Sequence, residues 1–318
     1  MLTRRDLVSK ATAAGILLVS RRGFAKASQP STPVSFEVPP GACDCHTHIF
    51  GDPAKFPFSP NRVYTPETAL PEEMSALHRA LHIQRVVIVT PSVYGADNSA
   101  TLYGMKARGA DARGVAVIDD RTPDGELAAM DRAGFRGIRL NLATNGQNDP
   151  ALARRMFQAA AERMRARNWH VQMNTSLAVI SAIQDLVAKS NVPVVFDHFG
   201  GLQAALGLKQ PGFSDLVELV RTGKAYVKIS DAYDNSALAP DYPDLAPFAR
   251  ALIAANIDFI LWGSDWPHPP GARPADRRVM PFRQVDDGRL LSLLAVWAPD
   301  SNARKKILVD NPARLYRF

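Results

Sequence analysis

The sequence has little with which to cross-link itself and nothing long enough to cross a membrane. Its only two cysteines, Cys43 and Cys45, lie two apart on one apparent strand, where a bridge would require distorted geometry. A disulfide framework is therefore excluded, and the pair reads as buried thiols, with a metal role the weaker alternative. The apolar run "ATAAGILLVS" from Ala11 is about ten residues, where a bilayer core takes roughly 20. No Gly-rich loop follows the first apparent strand, which argues against a doubly wound dinucleotide-binding sheet. Internal repeats are absent, and the only biased tract is the Pro/Ser-rich "SQPSTPVSFEVPP" at residues 28–40, which reads as an arm or linker.

An excess of positive charge is also missing once the first 27 residues are set aside. "TRRDLVSK" places paired arginines before the apolar run, and "AKA" at Ala25–Ala27 supplies a small-x-small cleavage site. Residues 1–27 thus resemble a twin-arginine-type signal peptide, which implies export to a periplasm and no membrane anchor after its removal. The segment carries six basic residues and one acidic residue, so 32 basic and 30 acidic residues remain, and the net charge falls from +7 to +2. No Lys/Arg stripe is left to neutralise phosphates, which excludes nucleic acid as a partner and leaves a small molecule.

What the chain does have is alternation. With 46% hydrophobic and 22% charged residues it is globular in composition. Eight β-rich runs alternate with helix-like segments: "ACDCHTHIF", "RVVIVTPS", "RGVAVID", "FRGIRLNL", "WHVQMNT", "VPVVFDHFG", "AYVKIS" and "DFILWGSDW". Between them, "TPETALPEEMSALHRAL" has a capping-type start, "TPDGELAAMDRAG" offers Thr122 as N-cap with Gly134 closing, and "DPALARRMFQAAAERMRARN" opens on Asp-Pro. Eight strands alternating with helices over roughly 250 residues predict an α/β fold, a single-domain (β/α)8 TIM barrel spanning residues 41–318. The tail "PDSNARKKILVDNPARLYRF" reads as a final helix pair.

In such a barrel the reactive groups sit at the C-terminal strand ends. The first strand ends in His46 and His48, which period two sends to one side. The fourth ends in Arg139 and Asn141, the sixth in Asp197 and His198, and the eighth in Ser264, Asp265 and His268. A carboxylate after "FILWGS" is costly to bury without a catalytic or pairing role. Arg139 suits either a substrate carboxylate or a structural one, while Asp197 alternates with His198 and reads as supporting. His170, at a strand start, reads as core, Lys228 as structural, and His78 and His82, at i and i+4 on a helix, as surface residues.

His-x-His on the first strand, "DHFG" at 197–200, "WGSDWPH" at 262–268 and the terminal "NPARLY" together resemble the amidohydrolase superfamily, in its branch of small metal-independent lactonases and lactone isomerases. "FPFSPNRVYTPETA", "VVIVTPSVYGADN" and "GIRLNL" extend the resemblance over nearly the whole chain after residue 41. It implies a hydrolase acting on a lactone of a sugar acid or aromatic-catabolic acid. Asp265 would activate water, His46, His48 and His198 would polarise the carbonyl, and Arg139 would hold a substrate carboxylate. Family members taking planar dicarboxylates carry an arginine after DHxG, another after the seventh strand and a tyrosine after the fifth. Here Gly201, "SDAYDNS" and Asn174 stand there. Asn174 and Tyr233 therefore point toward a hydroxyl-rich sugar-acid lactone. Ser92, Tyr94 and Asn98 are expected around the same mouth, with His268.

No cofactor is required on this reading. The alternative is a zinc ion on His46, His48, His198 and Asp265, with bound water acidified to about pKa 7; the lysine or extra histidine of binuclear relatives is not evident. The competing functions are a lactone isomerase, a metal-dependent decarboxylase or amidohydrolase, and a non-catalytic periplasmic ligand-binding protein, against which the intact histidines and Asp265 argue.

Overall fold

A computed structural model describes residues 27–147, 149–271 and 277–318. The signal-like leader, apart from Ala27, lies outside the described residues. Eight strands form one sheet in chain order: β1 (Cys43–Thr47), β2 (Arg85–Val89), β3 (Ala112–Ala116), β4 (Phe135–Asn141), β5 (His170–Asn174), β6 (Val194–Phe196), β7 (Ala225–Ile229) and β8 (Ile260–Trp262). Every neighbouring pair is parallel. The two ends of the sheet meet through residues just past β8. Asp265 N donates to His46 O at 2.9 Å, His48 N donates to Trp266 O at 2.8 Å, and a parallel bridge joins Thr47 to Trp266. The result is the (β/α)8 barrel that the alternation predicts.

The surrounding helices include α1 (Pro71–Ala80), α2 (Ser99–Arg108), α3 (Asp124–Ala133), α4 (Pro150–Met164), α5 (Leu177–Lys189), α6 (Phe213–Arg221), α7 (Ala246–Asn256) and α8 (Asp287–Trp297). Asp149 caps α4 as its Asp-Pro opening requires, accepting from Ala151 N at 2.9 Å. The cap expected at Thr122 is displaced. α3 begins after Pro123, and the Thr122 hydroxyl is spent on Asp119 at 3.2 Å. Gly134 closes α3 at φ +100°, a left-handed position that suits glycine. His78 departs from its expected surface position: it is fully buried on α1, with Nε2 3.3 Å from Asp44 Oδ2. His82 is exposed.

Inside the barrel, Cys43, Cys45, Val87, Val89, Val115, Val195, Tyr226 and Leu261 form a floor closed by Leu315 and Tyr316, the latter from the terminal helical turn Asn311–Tyr316. Both cysteines are free and buried. His170 belongs to this floor, its ring edge-on to Tyr316 at 5.3 Å. The β1–β2 register shifts between Asp44 and Thr47, and this irregularity lets the consecutive residues Cys45 and His46 both face inward. The first strand thereby supplies an apolar floor and a polar roof in five residues.

The Pro/Ser-rich arm is packed on the barrel. Ser28 O accepts from Trp266 Nε1 at 3.1 Å, Ser31 and Thr32 donate to Asp286, and Ser35 N donates to Ser292 Oγ at 3.0 Å. A Cβ at Gly288 would overlap Thr32 O, so the close approach of arm and α8 requires glycine there. Among the described residues, no helix is long and apolar enough to cross a membrane.

Candidate active site

Side chains from the ends of β1 and β6 converge on Asp265, just past β8. Its Oδ1 lies 3.4 Å from His46 Nε2, 3.4 Å from His48 Nε2 and 3.9 Å from His198 Nε2, so the four expected catalytic residues share one centre. Asp265 and His198 are held at φ +65° and +50°. Strain of this kind at non-glycine residues is tolerated where surrounding contacts over-determine the geometry. Burial opposes ionisation of Asp265, but His198, His48 and His46 overcome it and hold the carboxyl below its ordinary range.

Each imidazole is oriented from behind. The Nδ1 of His48 lies 2.7 Å from Val89 O, and a carbonyl can only accept, so that nitrogen carries a proton and Nε2 is what His48 presents to Asp265. A lone pair there would face a carboxylate, so a positive charge belongs between them: a proton on His48, or a cation. His46 Nδ1 sits 3.1 Å from Lys228 Nζ and 3.2 Å from Asp197 Oδ1. Lys228 is fully buried and also donates to Gln172 Oε1 at 2.8 Å and pairs with Asp197 at 3.2 Å. As an ammonium it donates to Gln172 Oε1 and His46 Nδ1 and pairs by charge with Asp197, which leaves His46 with its own proton on Nε2. Burial and the nearby Lys228 push the His46 pKa well below its ordinary value. In that tautomer the buried Nε2, which has no hydrogen-bond partner, is an N–H donor aimed at the centre.

Asp197 organises the layer beneath. It accepts from Arg139 Nε at 2.9 Å and from Gln172 Nε2 at 3.0 Å. Burial would raise its pKa, but Lys228, His46 and Arg139 hold it well below the usual carboxylate range. Asp197 lies behind the imidazoles, where Lys228 pairs with it and touches His46. His198 Nδ1 is 3.0 Å from Ser230 Oγ, and its Nε2 3.5 Å from Arg139 Nη2; burial lowers its pKa.

Above this centre opens a cavity of about 370 Å³. Its walls include His48, His198 and Asp265, with Arg139, Ser92 and Asn174 as expected. Tyr64, Thr144, Gln203 and Asp231 also line it; nothing in their local pattern marked them, since only folding brings their loops over the strand ends.

Four expected mouth residues are not among those lining this cavity. Tyr94 packs on Phe50 and Phe58, and its hydroxyl accepts from Gly51 N at 3.0 Å. Asn98 ties strand ends together, accepting from Val117 N at 2.9 Å and from Thr90 Oγ1 at 2.8 Å. Tyr233 donates its hydroxyl to Asp265 Oδ2 at 2.7 Å, and His268 is fully buried behind it. Tyr94 and Asn98 thus serve neighbouring loops and strand ends, while Tyr233 reaches the centre itself through Asp265.

The donor atoms of His46, His48 and Asp265 lie within 4.8 Å of one another, as do those of His198, Asp231 and Asp265. With its Nε2 unpartnered, His46 completes a set that fits a divalent ion. Binding one through His46 Nε2 requires that its proton sit on Nδ1, toward Asp197, so the ion and the Lys228-directed tautomer compete for one proton position.

Fold and centre together describe a barrel hydrolase. The family model described as amidohydrolase matches residues 43–318, and the chain belongs to that family. It is 37% identical over 287 residues to 4-sulfomuconolactone hydrolase of Rhizobium radiobacter, covering 90% of this chain and 93% of that protein. It is 33% identical over 298 residues to 2-pyrone-4,6-dicarboxylate hydrolase of Comamonas testosteroni, covering 91% and 94%. A crystal structure of an Agrobacterium tumefaciens protein without ligand matches with a TM-score of 0.75 at 27% identity, over 91% of this chain and 98% of that one.

Proposed function

We propose that the protein hydrolyses the ring ester of a small lactone bearing an acidic substituent, without a required metal. The observation that carries this is one carboxylate oxygen, Asp265 Oδ1, ringed by three imidazole nitrogens at the wall of a cavity. A water beside Asp265 gives it a proton as the oxygen attacks the lactone carbonyl. The carbonyl oxygen becomes the oxyanion at the cavity wall formed by His48 and His198, with the buried His46 Nε2–H aimed at the same centre from behind. As the ring C–O bond breaks, the proton held by Asp265 passes to the departing ring oxygen, leaving a hydroxy acid and restoring the carboxylate. Arg139 faces the cavity from its pair with Asp197 and is the cation available to the acidic substituent. Were a divalent ion bound, His46, His48 and Asp265 would hold it and it would supply Lewis-acid polarisation of the carbonyl.

The expected preference for a hydroxyl-rich sugar lactone loses one of its two supports, because the Tyr233 hydroxyl is committed to Asp265. The relatives' names favour unsaturated acid lactones instead. The test is hydrolysis of 4-sulfomuconolactone and 2-pyrone-4,6-dicarboxylate, with and without chelator. Turnover that survives chelation and falls by about 10³-fold in Asp265→Asn is expected. Undiminished turnover in that variant would remove Asp265 as base, and chelator-sensitive turnover would transfer the carbonyl's activation to an ion.

A further inference from the structure

Three side chains behind the base, His268 and Asp287 fully buried and Tyr233 half-buried, have no part in the chemistry above. Tyr233 OH lies 2.7 Å from Asp265 Oδ2 and 3.2 Å from His268 Nδ1, and His268 Nε2 lies 3.1 Å from Asp287 Oδ2. His268 and Asp287 have no solvent exposure, and Asp287 is the first residue of α8. The guanidinium of Arg283 sits over the Tyr233 ring at 4.9 Å.

Proton bookkeeping fixes the direction of this chain. A phenol has one proton, and the nearer and stronger acceptor is the carboxylate, so Tyr233 donates to Asp265. Its oxygen can then only accept from His268, which places a proton on His268 Nδ1. The contact between Nε2 and Asp287 must hold one further proton, since two lone pairs would otherwise meet in a dry interior. Burial favours the neutral form of Asp287, and a carboxylic O–H donating to Nε2 completes a run of donors pointing at the base.

We propose that Asp287, His268 and Tyr233 form a one-way hydrogen-bond relay that holds Asp265 with Oδ2 turned away and Oδ1 toward the imidazoles, making His268 and Asp287 positioning residues for the base. The relay rests on the assignment of Asp265 as base, while its direction from His268 through Tyr233 to Asp265 follows from the geometry and proton count. A carboxylate free to rotate would share both oxygens between the histidines and water, and the near-attack arrangement would be occupied less often.

The test has two independent readouts on the full chain. Nitrogen-15 NMR of histidine-labelled protein, with the His268 resonance assigned by its loss in His268→Asn, reports which ring nitrogen carries a proton without any turnover. A protonated Nδ1 is expected; a bare Nδ1 overturns the relay. With 4-sulfomuconolactone as probe, Tyr233→Phe and His268→Gln should each lower kcat by about 10–100-fold with KM within about twofold. The double variant should be no slower than Tyr233→Phe, because His268 acts through the tyrosine. His268→Asn, which keeps an N–H near the position of Nδ1, should recover most of the loss seen in His268→Gln. Losses that multiply, or that fall on KM alone, overturn the proposal. If wild type does not turn this lactone over, the substrate assignment fails while the NMR still decides the relay.

Discussion

One proton on His46 separates two chemistries. Lys228 directs it to Nε2, where it serves an oxyanion; without Lys228, Nδ1 is free to donate to Asp197 and Nε2 becomes a ligand. Lys228→Met should therefore lower kcat for a hydrolysed lactone by about 10²-fold, the usual cost of one misdirected donor. The same change should create zinc affinity detectable by titration calorimetry. Arg139 remains to pair with Asp197 in that variant. An unchanged rate together with unchanged zinc binding would show that Lys228 does not set the tautomer. The residues of this centre were legible in the sequence because each stands at a strand end where a polar side chain is otherwise expensive. Tyr94, Asn98 and His268 were not, because loops carry no periodicity from which the direction of a side chain can be read. Lys228 does pair with a buried carboxylate, but which one could not be read, because a lysine inside a strand reveals nothing of its partner until β5, β6 and β7 are laid side by side.

Among the elements, the arm at residues 28–40 is the least expected in its conduct. Its composition reads as an arm or linker without naming a partner, and Asp286 serves as both the N-cap of α8, accepting from Gly288 N at 3.1 Å, and the anchor of Ser31 and Thr32. Burial opposes ionisation of Asp286, but the donors from Thr32 and Ser31 bring its pKa down to about 2. Asp286→Ala removes cap and anchor together. It should destabilise the protein by about 1–2 kcal/mol, the upper range for a lost cap, and speed proteolysis within residues 28–36. A lower melting temperature without faster cleavage of the arm would show that the arm is held by its other contacts. Composition could not foresee this docking, since the partners of Ser31 and Ser35 lie more than 250 residues away.

For the molecule as a whole, the barrel was the most legible feature, because eight repeats of one alternation leave few other architectures. Its floor has a measurable electrostatic consequence. His170 is fully buried, and burial together with Lys228 brings its pKa down to about 3 from an ordinary 6.5. The folded protein thus keeps His170 neutral where the unfolded chain binds a proton. The associated stability is complete above pH 6.5 and is lost as pH falls toward 3, by about 1.4 kcal/mol per pH unit for this one group. Denaturant unfolding at pH 7, 6 and 5 should show this slope, and His170→Gln should reduce the proton uptake by about one; an identical slope in the variant would place the titration elsewhere.

What the alternation did not disclose is how the barrel shuts: the backbones of His46 and His48 are the very ones that meet Asp265 and Trp266. The first and last strands stand at opposite ends of the chain, with Asp44 and Ser264 in contact across 220 residues. A ribosome must therefore release nearly the entire polypeptide before the base can reach its histidines, and the nascent chain carries no hydrolytic hazard on the way.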